Sequence, residues 1–272
     1  GSSEADEALT LSDMPAIVTD RSEANSWIIP EDDTYRITVD MTKQTVKIVA
    51  AGAVVDADQI FLAGTAVGDQ VEMQQTLENE NLYAWRGQLS AGTLYIPLTY
   101  EGKQEMSIVP MQEGSHDIND GQSSSFTQVA TNTAASARYW SIPSAGTYRI
   151  VLNKEEKTII IYSDKTDLEP KSVSWNNTKL GINPYTTVIE KLYMYGTFNA
   201  FDHDSGAFTG YQDKFNLLPS IADPCVFVYK GDALPRSSQK DERGNTVQAS
   251  VKFTVDNTNN NVYAFGSSAD AK

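Results

Sequence analysis

The sequence predicts an all-β protein: tandem β-sandwich domains, immunoglobulin-like or carbohydrate-binding-module-like, preceded by a short β-hairpin segment. Three observations carry this. A hairpin-like stretch occurs twice at a constant, ungapped offset of 113 residues, from Trp27 to Trp140. The earlier copy runs Trp27-Ile-Ile-Pro-Glu-Asp-Asp-Thr-Tyr-Arg-Ile-Thr-Val-Asp40 and continues to Thr45–Val49; the later runs Trp140-Ser-Ile-Pro-Ser-Ala-Gly-Thr-Tyr-Arg-Ile-Val-Leu-Asn153 and continues to Thr158–Tyr162. Internal repetition of this kind marks a modular chain. Short alternating apolar runs recur with turn residues between them, the spacing of sandwiches. No window holds the 3.6-residue period of an amphipathic helix.

In chain order, residues 1–8 read as a flexible leader, because Ser2-Ser-Glu-Ala-Asp-Glu7 is polar and acidic. Such a leader is what would remain once a signal peptide and a lipid-bearing cysteine had been cut away. The hairpin segment spans 9–54. Within it Tyr35, Ile37 and Val39 alternate with Arg36, Thr38 and Asp40, the period of a half-buried strand, and Met41–Gln44 makes the turn.

The first sandwich spans 55–165. It opens with the strand Gln59–Thr65, then pairs Leu82–Arg86 with Gly92–Tyr100. Met106–Pro110 reads as a short edge strand, since proline cannot donate to a ladder. Residues 112–137, rich in Ser, Asp, Asn, Gly and Thr, read as a long loop. The second hairpin, 140–162, closes the domain, and Asp164–Pro170 reads as a linker.

The second sandwich spans 166–272. Lys191-Leu-Tyr-Met-Tyr-Gly-Thr197 repeats the pattern of Gln59–Thr65, a strand followed by Gly-Thr. An insertion, Lys171–Glu190, carries Trp175 and Tyr185. Asp223–Tyr229 is strand-like, Pro235–Gln248 is a charged loop, and Val251–Asp256 with Val262–Phe265 reads as a third, degraded hairpin.

Composition narrows the function. A net charge of −15 leaves no basic face for nucleic acid or for an anionic membrane surface. The single cysteine, Cys225, excludes a disulfide framework and a cysteine metal cluster; its strand-like surroundings predict a buried thiol. No run of about 18 apolar residues exists to span a bilayer as a helix. No Gly-x-Ser-x-Gly, phosphate loop or His pair at ligand spacing is present; His116 and His203 stand far apart in polar stretches. Asp202-His-Asp-Ser-Gly206 with Asp213 lacks the third ligand of an EF-hand loop and reads as a turn. A glycosidase needs two carboxylates facing across a cleft, and none of the 36 acidic residues stands out by pattern. The expectation is therefore a protein that is not an enzyme, with no catalytic residue, metal or cofactor.

Phe61-Leu-Ala-Gly-Thr65, the segment Tyr83-Ala-Trp-Arg-Gly-Gln-Leu-Ser-Ala-Gly-Thr93, and Trp140 to Ile150 together resemble the repeated domains of the SusE/SusF-type outer-membrane lipoproteins of Bacteroidetes. The resemblance covers about residues 27–265. It implies tandem β-sandwich domains on a lipid-anchored protein of the outer membrane and cell surface. It further implies binding of a polysaccharide or oligosaccharide without cleavage, beside an outer-membrane glycan transport complex; members of the family bind different glycans, so starch itself does not carry over. The loop after the first Gly-Thr, Thr65–Glu72, departs from the pattern in having no aromatic residue, whereas Thr197–Phe208 has Phe198, Phe201 and Phe208. Sugar rings stack on aromatic faces while polar side chains reach the hydroxyls. The expected ligand-binding residues are therefore Trp175, Asn199, Phe201, His203 and Tyr211. Trp27, Trp140 and Trp85 read as packing residues. The alternative is a structural or adhesion-type surface protein of the same fold without a working sugar site.

Overall fold

The computed structural model describes residues 7–8, 14–16, 26–30, 35–50, 55, 57–177, 182–196, 215–231, 243–245, 251–255 and 264–265. The chain divides into two compact units, Gly1–Gln75 with Asn81–Asp167, and Thr76–Glu80 with Leu168–Lys272. Among the described residues the protein is all-β apart from one helix of 7 residues.

The N-terminal part of the first unit carries β1 (Glu7–Ala8), β2 (Met14–Pro15), β3 (Trp27–Ile28), β4 (Tyr35–Asp40) and β5 (Thr45–Ala50). β4 and β5 form the predicted hairpin, with Tyr35 opposite Ala50 and Asp40 opposite Thr45. The turn closes through Gln44, whose φ of 52° is left-handed. Met14, Val46 and Ile48 form a small core, with Trp27 and Tyr35 packed against it.

The rest of the first unit carries β6 (Gln59–Leu62), β7 (Val71–Glu72), β8 (Gln74–Gln75), β9 (Leu82–Leu89), β10 (Gly92–Leu94), β11 (Ile96–Tyr100), β12 (Lys103–Pro110), β13 (Gly114–Asp117), β14 (Ser123–Ala130), α1 (Thr131–Ala137), β15 (Arg138–Ile142), β16 (Gly146–Asn153) and β17 (Thr158–Tyr162). Nine strands form one sheet in the order β7-β6-β11-β12-β14-β17-β16-β9-β8, and β10-β15-β13 form a second. The two ends of the large sheet, β7 and β8, flank a single residue, Met73, which is buried in the core. The sheet therefore bends round on itself, bringing its two end strands together.

Alternation dictates what fills the interior. Tyr148, Ile150 and Leu152 of β16 point inward, as do Ile159 and Ile161 of β17, and all five belong to one core with Ile60, Leu62, Leu94, Ile96, Leu98 and Ile108. Each such side chain contributes about 1.5–3 kcal/mol on burial. Trp140 is buried in the same core and Trp85 packs against it half-buried, so both are the packing residues that the sequence predicts.

At the base of the unit, Asp167 accepts hydrogen bonds from Arg149 Nε at 2.6 Å and Arg86 Nε at 2.9 Å. Burial alone would raise the pKa of Asp167; the two arginines outweigh it and hold the carboxyl below its ordinary value. Asp120 is likewise held low, because hydrogen bonds from Ser163 and Thr166 and the charge of Lys165 outweigh its burial.

Four expectations for the first unit need correction. β9 does not pair with the strands that directly follow it, β10 and β11. It pairs with β16 over eight residue pairs, from Leu89 opposite Gly146 to Leu82 opposite Asn153, while β11 lies between β6 and β12. Met106–Pro110 is no edge: β12 lies between β11 and β14, and Pro110 is tolerated because it is the last residue of its strand. Residues 112–137 are not a loop but β13, β14 and α1; their hydroxyl-rich side chains conceal a ladder made by the backbone. The expected linker begins late, since residues 163–167 are tied to the first unit through Asp120 and Asp167.

The second unit carries β18 (Ser172–Asn177), β19 (Ile182–Val188), β20 (Leu192–Gly196), β21 (Asn216–Pro219), β22 (Phe227–Tyr229), β23 (Val251–Thr254) and β24 (Ala264–Phe265). The insertion is an antiparallel hairpin, β18 with β19. The remaining strands form a sheet in the order β22-β21-β20-β23-β24. β23 and β24 are antiparallel, as the third-hairpin reading expects; the turn between them lies outside the described residues. Cys225 overturns the buried-thiol expectation: it is exposed, in a turn ahead of β22, its amide hydrogen-bonded to Asp223 Oδ1 at 2.8 Å.

Candidate functional site

Two Ala-Gly-Thr tripeptides build an open concavity in the first unit. Ala63-Gly64-Thr65 follows β6, and Ala91-Gly92-Thr93 leads into β10. They clamp each other. Thr65 N donates to Thr93 Oγ1 at 3.0 Å, and Thr93 N donates to Thr65 Oγ1 at 2.8 Å. Ala63 and Tyr95 exchange both backbone bonds, at 2.9 and 3.0 Å, and Ala66 N donates to Thr93 O at 3.0 Å.

Both glycines are required. Gly64 has φ 115°, and a Cβ there would stand 2.2 Å from Thr93 O. Gly92 has φ 151°, and a Cβ there would stand 2.4 Å from Thr65 Oγ1. Only glycine permits so close an approach of two backbones.

The result is a groove of about 590 Å³ lined by Gly64, Thr65, Gly68, Gln70, Thr93 and Tyr95, with Ala63 and Ala135 of α1 completing it. None of these side chains carries a charge. Gln104 Nε2 donates to Gln70 Oε1 at 3.0 Å and to Thr99 Oγ1 at 3.1 Å, which fixes the Gln70 carboxamide at the rim. Tyr95 is half-buried between Leu94 and Ile96, which are both fully buried. Its side chain therefore belongs to the other face, the one lining the groove.

The chemistry this offers is uncharged: hydroxyls, one fixed amide and one aromatic ring. The lining includes no carboxylate, histidine or thiol that could act as a nucleophile or transfer a proton. Among the described residues no group of three His, Cys, Asp or Glu side chains could hold a metal ion. His116, in β13, has its Nε2 2.9 Å from the carbonyl of Glu113, just ahead of the strand.

Of the residues predicted from sequence, Trp175 lies in β18 opposite Tyr185. Asn199, Phe201, His203 and Tyr211 lie outside the described residues, as does the Asp202–Asp213 turn. The sequence pattern does not single out Tyr95, because the loop that follows Gly64, Thr65–Glu72, has no aromatic residue. The aromatic arrives from a neighbouring strand instead. Its one mark in the sequence is Leu94-Tyr-Ile96, where a lone aromatic interrupts an apolar run two residues after Gly-Thr.

No family model matches the chain, and no curated protein matches it. Among solved structures, the chain is similar to SusF from Bacteroides thetaiotaomicron at 13% identity and a TM-score of 0.32. The match covers 86% of this chain and 46% of that one, so the chain spans about half the length of SusF. At those values the groove itself has to carry any functional reading.

Proposed function

We propose that this chain is a non-catalytic glycan-binding protein of the bacterial cell surface, and that the groove beside Tyr95 holds a stretch of neutral polysaccharide. The observation that carries the reading is the lining of the groove: uncharged hydroxyls, a fixed carboxamide and one aromatic ring in an open concavity. A pyranose ring presents a C–H face to an aromatic side chain and hydroxyls to the rim, and this lining suits both. A charged sugar would find no cation among the lining residues. On this reading the protein is lipid-anchored at the outer membrane and captures glycan for uptake alongside a transport complex. Trp175, Asn199, Phe201, His203 and Tyr211 are proposed as a second sugar site in the second unit.

Affinity electrophoresis through gels containing α-glucan, β-glucan, xylan, mannan or fructan tests the reading. Retardation by at least one of these neutral polysaccharides is the expected result. Migration unchanged in all five would reject it in favour of the structural or adhesion-type protein.

A further inference from the structure

The side chains of the groove beside Tyr95 offer a ligand more hydrogens than lone pairs. Thr65 Oγ1 and Thr93 Oγ1 each already accept a backbone N–H, and they stand 3.2 Å apart, within reach of a bond between them. A hydroxyl has one hydrogen and two lone pairs. Once one of these hydroxyls donates to the other, the pair keeps a single O–H and a single lone pair for a ligand. Gln104 gives its Nε2 to Gln70 Oε1 at 3.0 Å and to Thr99 Oγ1 at 3.1 Å. The carbonyl of Gln70 is therefore turned to Gln104, and its NH2 group is the end left to meet a ligand in the groove that Gln70 lines.

Part of the wall has almost no side chain. Gly64 and Gly68 line it, and a Cβ on Gly68 would meet nothing within 4 Å. Ala63 and Ala135 bring only methyl groups. Ala135 is exposed on α1, which is seated by the buried Ala134 and by a hydrogen bond of 2.9 Å between the hydroxyls of Thr131 and the buried Ser107. Room is left beside Ala135 for a small apolar substituent.

A sugar hydroxyl both donates and accepts, so a donor-rich lining uses only part of it. An acetyl group suits the lining better: its carbonyl only accepts, and its methyl is apolar. We propose, on the reading that this groove holds sugar, that it selects neutral glycans bearing acetyl groups. The acetyl carbonyl accepts from Gln70 Nε2 and the methyl lies against Ala135. Gln104 is a positioning residue: it touches no ligand, and it sets the preference by holding the Gln70 carboxamide with its NH2 toward the groove. An acetyl on nitrogen and one on oxygen share this chemistry.

The test is calorimetric titration of the full chain with two matched pairs of probes. One pair is the tetramer of N-acetylglucosamine and cellotetraose, which carry an acetamido group and a hydroxyl at the same carbon of an otherwise identical β-linked backbone. The other is an O-acetylated glucomannan oligosaccharide and the same oligosaccharide after alkaline deacetylation. In at least one pair the acetylated probe binds about tenfold tighter, the order of one added hydrogen bond, and the pair that shows it tells N-acetyl from O-acetyl. In Gln104→Glu the new carboxylate only accepts, so it draws the Gln70 NH2 to itself and turns the carbonyl to the groove. The preference then falls to about twofold or less, while affinity for the unacetylated partner and the urea midpoint stay as in the unmodified chain. Equal affinity within both pairs, with binding still weakened by Tyr95→Ala, overturns the acetyl selection and leaves the sugar reading standing. A preference that survives Gln104→Glu overturns the assignment to the Gln70 amide. Binding of none of the four probes overturns the selection as well, and the polysaccharide gels then decide the sugar reading by themselves.

Discussion

Replacing Gly64 by alanine tests whether the clamp between the two Ala-Gly-Thr segments shapes the first unit. Two costs add. The backbone at φ 115° is one that L-residues rarely adopt, a strain of about 1–3 kcal/mol. The new Cβ would also stand 2.2 Å from Thr93 O, so the loop must withdraw. Withdrawal breaks the Thr65–Thr93 and Ala66–Thr93 bonds, each contributing about 0.5–1.5 kcal/mol. The total is about 3–7 kcal/mol. Gly68 supplies the control. It too has positive φ, 77°, but a Cβ there meets nothing within 4 Å. Gly68→Ala should therefore cost only about 1 kcal/mol, the backbone part alone. Urea unfolding followed by tryptophan fluorescence reads the difference. With a slope of about 1–3 kcal/mol per molar urea, the two midpoints should separate by about 1 M or more. Equal midpoints for Gly64→Ala and Gly68→Ala would refute the steric reasoning, since strain alone would then account for both.

Three further outcomes follow from the packing. Leu152→Ala should cost about 2–5 kcal/mol, whereas Val39→Ala, at its exposed counterpart in the repeat, should stay within about 0.5 kcal/mol; comparable losses would contradict the difference in burial. Asp167 has a depressed folded-state pKa, so its contribution is fully present above its unfolded value of about 3.9 and is lost as pH falls below that. Stability of the unmodified chain should accordingly fall more steeply below about pH 4 than that of Asp167→Asn, and parallel profiles would exclude Asp167 as a source of that fall. Cys225, being exposed, should react with a thiol reagent in the native chain as fast as in urea; protection until unfolding would restore the buried-thiol expectation.

The parts of this fold legible in the sequence are those set by local alternation. Tyr35–Val39 and Tyr148–Leu152 announce their strands and share one register because the same residues turn at the same spacing. Pairing between distant strands was not legible. Leu82–Leu89 reads as the neighbour of the strand that follows it, yet its ladder is with β16, some 60 residues on, because Tyr83 and Leu89 are needed in the core formed there. Ser123–Ala130 hides as a strand because its ladder uses backbone groups that any residue supplies, while only Phe126 is buried. Arg138, whose guanidinium gathers the carbonyls of Pro110, Met111 and Gln112, has no sequence signature at all. For the groove, Gly64 and Gly92 were legible as punctuation. That two glycine-bearing segments 28 residues apart clamp each other, and bring Tyr95 to their side, depends on their being brought together by β6 and β11.

Under the proposed function, Tyr95 and its neighbours hold a neutral sugar. Calorimetric titration of an oligosaccharide, cut from whichever polysaccharide retards the chain, into the unmodified protein and into Tyr95→Ala tests it directly. Loss of a stacking aromatic predicts affinity at least tenfold weaker in Tyr95→Ala, with the urea midpoint shifted little because the ring is half-exposed. Equal affinity in the two proteins would contradict the claim and leave the sugar to a site other than this groove.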